Sequence, residues 1–170
     1  MMAHVQGSEP VYDMLMIKGE NRKEMLPAIP AIQPIENRDL TLIASGFGQR
    51  IHPIYKIPKM HNGIDFSAPV GTPVRATGDG VVLSVERSAR GLGNQITIDH
   101  GFGYTTLYAC MDEMNVRQGA EIKRGDLIGT VGDSGLSVAP HLHYEVHLNG
   151  EPMNPINYFF LELSPADYDR

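Results

Sequence analysis

The sequence carries a single cysteine in 170 residues. That excludes an internal disulfide, so no redox compartment can be read from bridges. No apolar run approaches the ~18 residues that span a bilayer. Basic residues are outnumbered, 14 Lys and Arg against 20 Asp and Glu, which leaves no basic footprint for nucleic acid or anionic lipid. No glycine-rich phosphate loop leads from a strand into a helix. The opening "MMAHVQGSEP" lacks the apolar stretch of a secretion signal. Either the protein is not exported in this form, or the sequence is the mature part of a longer one. With 42% hydrophobic and 20% charged residues, the composition is that of a soluble globular domain with an appendage.

Two textures divide the chain. Residues 9–26 are rich in Met and charge and poor in turn residues, and a weak face of Val11, Leu15 and Lys18 suggests one helix. It should stop at "LPAIPAIQP", where Pro27, Pro30 and Pro34 favour an extended strap. Residues 1–39 are therefore an N-terminal arm that packs or links. From residue 40 onward, short runs such as "VVLSVERS", "NQITIDH", "YTTLYACM" and "HLHYEVHL" alternate with the turns "GDG", "GLGN", "DHGFG" and "GDSG". β-Branched and aromatic residues between closely spaced turns predict an all-β, antiparallel sandwich or barrel-like domain over residues 40–160. Residues 161–170 form a tail.

Two stretches carry chemistry. In "APHLHYEVHLNG", a strand puts His141, His143, Glu145 and His147 on one face and Leu142, Tyr144, Val146 and Leu148 on the other. In "KMHNGIDFSAP", His61, Gly63 and Asp65 share a face, with Ile64 and Phe66 turned to the core. Imidazole, imidazole and carboxylate form a ligand set for catalytic zinc. Neighbouring strands could supply His61, Asp65 and one of the paired histidines, leaving the other beside the metal as a general base or oxyanion partner. Taken singly, each cluster is as consistent with an exposed polar face.

"SGFGQRIHPIYKIPKMHNGIDFSAPVGTPVRATGDGVV" and "VGDSGLSVAPHLHYEVHLNGEPMNP" together resemble the lysostaphin-type, LytM-group zinc endopeptidases, which cleave peptide cross-links in bacterial peptidoglycan. The resemblance runs from residue 44 to about 158. It implies a duplicated-hybrid-motif type of β domain, a zinc cofactor held by His61, Asp65 and His143, and His141 as a catalytic histidine. Glu145 would be a supporting residue or a solvated carboxylate, and His147 a simply exposed one. The resemblance also implies peptidoglycan peptides as substrate and a cell-envelope location (periplasmic or extracellular); a partner wall hydrolase is an alternative target only if Cys110 silences catalysis. A phosphocarrier, the other chemistry that pairs histidines on a related sandwich, is disfavoured by Asp65.

One position departs from the family. Where its strand ends "LYAH", this sequence reads "LYAC", so Cys110 replaces a second catalytic histidine. Alternation from Tyr104, Thr106 and Tyr108 puts Cys110 on their face, looking into the cleft. His141 could then work alone at a rate lower by about 10²- to 10⁴-fold. Cys110 could take part as a thiolate or, against its short reach, as a zinc ligand. The protein could be a catalytically silent zinc module that binds wall peptide or regulates another hydrolase, or the cysteine could be an introduced change. His52 and His100 read as turn or packing residues, and nothing in the sequence places the hydroxyls of Tyr55 and Tyr108.

Overall fold

A computed structural model describes residues 25–36, 39, 42–51, 58–135 and 139–159. Most of the expected helix over 9–26, His52, Tyr55 and the 161–170 tail lie outside them.

Among the described residues, the turn signals deliver thirteen short strands. These are β1 (Leu42–Ser45), β2 (Gly48–Ile51), β3 (Pro58–His61), β4 (Ile64–Ser67), β5 (Pro73–Arg75), β6 (Gly80–Glu86), β7 (Gln95–Gly101), β8 (Tyr104–Ala109), β9 (Met111–Met114), β10 (Glu121–Ile122), β11 (Leu127–Val131), β12 (His141–Leu148) and β13 (Glu151–Met153). One large antiparallel sheet runs β1-β4-β12-β8-β7-β6-β10, with β13 also on β12; β5-β11-β9 form a second sheet and β2-β3 a hairpin. The all-β, antiparallel expectation holds. No described helix is long and apolar enough to cross a membrane.

Period-two alternation builds the core. Leu142, Tyr144 and Val146 of β12, Ile96 and Ile98 of β7, and Ile64 and Phe66 of β4 are fully buried, and they share one cluster with Val74, Met111, Ile128 and Val131 of the second sheet. The opposite face of the large sheet is more open. The pairing register aligns one row across it: Asp65, His143, Ala109, Gln95 and Glu86. Residues directly opposite in an antiparallel ladder share a face, so this row forms a floor.

The proline-rich strap is built into the core. Ile29, Ile32 and Ile35 have at most 2% of their surface exposed, each contributing roughly 1.5–3 kcal/mol of burial. Its backbone runs against residues 75–79: Ala31 N–H donates to Thr77 O, Arg75 N–H to Pro34 O and Asp79 N–H to Pro27 O. The Arg124 guanidinium adds donors to Leu26 O, Ile29 O at 2.7 Å and Thr77 O at 3.4 Å. Residues 25–28 are helical, although the proline pattern argued against helix from Pro27 onward. The turn survives because Ile29 N–H, not the proline nitrogen, donates to Met25 O.

Between the sheets lies a polar chain with no loose ends. His100 Nδ1 donates to Asp79 O at 2.8 Å, and its Nε2 meets Thr106 Oγ1 at 2.8 Å. Thr106, Tyr108, Thr77 and Tyr144 continue it through hydroxyl contacts of 2.9, 3.0 and 2.8 Å. His100 is a packing residue, as its turn setting suggested, and Tyr108 faces this network rather than a cleft. Burial pushes the His100 pKa down to about 4, outweighing the carbonyl bond. A neutral imidazole in the fold and a reference value near 6.5 in the unfolded chain give a defined sign. The unfolded state binds more protons between those values, so stability falls as pH drops from about 6.5 to about 4. The expected loss is roughly 3 kcal/mol, read as a falling urea midpoint in metal-free protein. His100→Gln should be less stable at neutral pH but flatter across that window; an unchanged slope would remove His100 as its source.

Candidate metal centre

β3 ends on His61, turns through Asn62 and Gly63, and re-enters as β4 with Asp65. Gly63 is required by proximity: a Cβ there would lie 2.1 Å from Tyr144 O and 2.8 Å from Glu145 Cγ. Only glycine lets this turn close onto β12. Asp65 is paired directly with His143, so carboxylate and imidazole rise from adjacent strands on the same face.

Each ring has its tautomer fixed from behind. His61 Nδ1 donates to Gly46 O at 2.8 Å, turning the Nε2 lone pair toward Asp65 Oδ1, 3.4 Å away. His143 Nε2 donates to Glu145 Oε2 at 2.6 Å, and its Nδ1 faces Asp65 Oδ1 at 2.9 Å. The two rings stand 5.2 Å apart and are tilted by 50°. One ligand atom from each of His61, Asp65 and His143 lies within 4.8 Å of the others. Nitrogen lone pairs and a carboxylate oxygen converging in a half-buried pocket repel one another unless a cation or a proton lies between them. Without a metal the proton does this. Burial favours neutral His143, but its bonds to Asp65 and Glu145 win and raise its pKa to about 9. Burial also disfavours the Asp65 charge, yet His143 and His61 hold its carboxyl well below the usual range. The donor set fits a divalent ion of the zinc type, and the outer bonds of His61 and His143 match what such ligands require.

Glu145 is not a solvated carboxylate. It is 8% exposed and accepts from His143 and, at 2.6 Å, from His147 Nε2. Burial works against its charge, but those bonds bring its pKa down to about 2. His147 is accordingly not the free surface residue its spacing suggested. The carboxylate two residues back on the same face captures it, with its side chain only 25% exposed.

His141 opens β12 with Nδ1 donating to Ala139 O at 2.9 Å. Its Nε2 lies 4.0 Å from Asp65 Oδ1 and 3.4 Å from Cys110 Sγ. Cys110 thus does reach the cleft, but not by the route alternation implied. Tyr104, Thr106 and Tyr108 face the buried side of β8. β8 ends at Ala109, and Cys110 takes φ = 63°, in the left-handed region. This reverses the side-chain direction outside the strand. Burial and the nearby Asp65 charge push the Cys110 thiol up to about 11, so it is S–H rather than thiolate in the metal-free protein. It stands outside the His61, Asp65, His143 group.

Asn94 and Ser134, read in the sequence only as parts of glycine turns, hold this corner. Asn94 Nδ2 and Ser134 Oγ both donate to Met111 O, at 3.0 and 2.9 Å. Cys110 N–H donates to Leu92 O, and Gly132 N–H to Cys110 O. The two loops touch backbone to backbone: a Cβ on Gly93 would sit 2.6 Å from Ser134 C. The available signal was a pair of turns, "GLGN" and "GDSG", each with a side-chain amide or hydroxyl beside glycine.

Known proteins share this fold. Residues 59–155 match the model of peptidase family M23. The chain is 46% identical over 135 residues to the DD-carboxypeptidase/endopeptidase Mpg of Neisseria meningitidis, covering 78% of this chain and 31% of that protein. The chain therefore spans about a third of the length of that curated relative. A zinc-containing peptidase from Vibrio cholerae superposes with a TM-score of 0.69 at 35% identity, over 78% of this chain and 40% of the other. The catalytic domain of lysostaphin from Staphylococcus simulans gives 0.62 at 32% identity, over 68% and 90%. The family model spans both candidate metal-binding stretches and more than half of the sequence, and the chain belongs to peptidase family M23.

Proposed function

We propose that this chain is the catalytic domain of a zinc-dependent endopeptidase hydrolysing amide bonds in peptidoglycan stem peptides or cross-links, in the cell envelope. The observation that carries the reading is the convergence of His61 Nε2, Asp65 and His143 Nδ1, with His141 alongside. These three residues would hold the metal. Bound there, zinc supplies Lewis-acid polarisation of the scissile carbonyl and lowers the pKa of water toward ~7. His141 is the proton carrier: Ala139 O keeps its Nδ1 protonated, so Nε2 presents a lone pair to the cleft. The Cys110 S–H, 3.4 Å away, donates to that lone pair at rest and must release it before His141 can accept a proton.

Isolated peptidoglycan incubated with zinc-loaded protein should release soluble peptides, identified by mass spectrometry, and a chelator should stop the release. Retention of wall peptide without any fragment would favour a silent module that binds wall peptide or a partner hydrolase. Glu145 supplies a second check. A carboxylate accepts from both His143 and His147, whereas an amide can accept at only one of its two ends. Glu145→Gln should therefore weaken zinc binding by about 10- to 100-fold in competition with a chromophoric chelator. Unchanged affinity would strip Glu145 of its positioning role.

A further inference from the structure

We propose a subsite for a free carboxylate of the peptide substrate, read by Arg87, at the far end of the floor from the metal-binding residues; it rests on the endopeptidase reading. The row Asp65, His143, Ala109, Gln95, Glu86 crosses from β4 to β6. Where it ends lies a shallow, open depression of about 610 Å³ lined by Arg87, Ser88, Ala89, Asn94, Ser134 and Gly135.

The polar side chains of that lining are mostly spent on the walls. Asn94 Oδ1 accepts from Ser88 N–H at 3.0 Å while its Nδ2 donates to Met111 O, and Ser134 Oγ lies between Asn94 N–H and Met111 O. Ser88 Oγ is engaged with Arg90 backbone. The walls are thus fixed by the same bonds that hold Cys110 in place, and the charged group left to meet a ligand is Arg87. It is exposed and has no ion-pair partner among the described residues. Its planar fork matches a carboxylate in two parallel hydrogen bonds.

The surroundings argue for a directed contact over a diffuse one. Glu86 on the floor and Asp133 beside Ser134 oppose Arg87 and Arg90 in sign, in a chain of net charge −6, so no broad positive field draws anions here. A carboxylate gains only where the peptide delivers it onto the guanidinium. Three strand spacings of ~4.8 Å separate β12 from β6, about 14 Å. At ~3.3 Å per extended residue, the carboxylate sits about four residues from the amide held at the metal-binding residues.

The test uses octapeptides with one side-chain carboxylate walked along the chain, each beside its amide counterpart. They are titrated by NMR into zinc-loaded His141→Ala protein, so that turnover does not consume the probe. One position three or four residues from the central amide should bind about tenfold tighter as carboxylate than as amide. Adding Arg87→Gln should erase that ratio, and Arg87→Lys should restore only part of it. A ratio near one at every position overturns the subsite, as does a ratio that survives Arg87→Gln or full recovery with lysine. Cleavage of peptidoglycan by the unaltered protein is scored separately. A preference that persists in a protein that cuts nothing would leave the subsite standing and remove the endopeptidase reading.

Discussion

His61→Ala protein should retain no stoichiometric zinc after dialysis, and its release of peptides from peptidoglycan should fall by at least about 10³-fold, roughly 4 kcal/mol of lost transition-state stabilisation. The reason lies in how little freedom the three proposed ligand residues have. Gly46 O fixes the His61 ring, Glu145 fixes that of His143, and pairing of β4 with β12 places Asp65 opposite His143. Removing one imidazole leaves a two-ligand remnant whose carboxylate bonds to a protonated His143, and an ion entering there must displace that proton. His141→Ala gives the contrast. It should keep one zinc per chain by mass spectrometry while its rate drops about 10²- to 10⁴-fold, since in the proposed mechanism its Nε2 carries protons and is not needed to hold the ion. One zinc per chain in His61→Ala would mean that the ligand set is wrong. Zinc loss in His141→Ala would mean that the roles of the paired histidines are exchanged.

Restoring an imidazole at position 110 should raise turnover, by about 10²-fold if His141 now works alone. The backbone is suited to it. Cys110 has φ = 63°, and histidine is among the few non-glycine residues enriched in the left-handed region. The chemistry gains in two ways. The native thiol, held protonated near pKa 11, offers a weak donor and no base near neutral pH. It also occupies the His141 lone pair at 3.4 Å. Cys110→His would provide a second group able to steady developing negative charge. The comparison should be made at saturating zinc, alongside Cys110→Ala to separate added imidazole from lost thiol. A histidine variant no faster than the native protein would show that one imidazole suffices. An alanine variant slower than the native protein would show that the thiol itself contributes to turnover.

The sequence by itself determined the site's ingredients and their faces. Strict alternation in "HLHYEVHL" sent Leu142, Tyr144 and Val146 inward and left His143, Glu145 and His147 together on the other side, since a strand has no other way to place successive side chains. The stretch "KMHNGIDF" did the same for Asp65, and the glycine turns between strands marked an all-β domain. Local pattern failed wherever the chain left the pleat or met a distant partner. Cys110 reached the cleft through a positive φ that follows the last strand residue, a reversal that residue spacing does not encode. Glu145 and His147 became a partly buried pair only because three side chains crowd one face of β12. The strap's fate was decided by Arg124, whose fork reaches the carbonyls of Leu26 and Ile29 some 95 or more positions earlier in the chain. Hydrophobic period and turn chemistry act over a few residues and so are legible in order along the chain. Ring orientation, loop-to-loop contact and the burial of a proline-rich strap depend on atoms far apart in sequence, and only the packed fold brings them within hydrogen-bond reach.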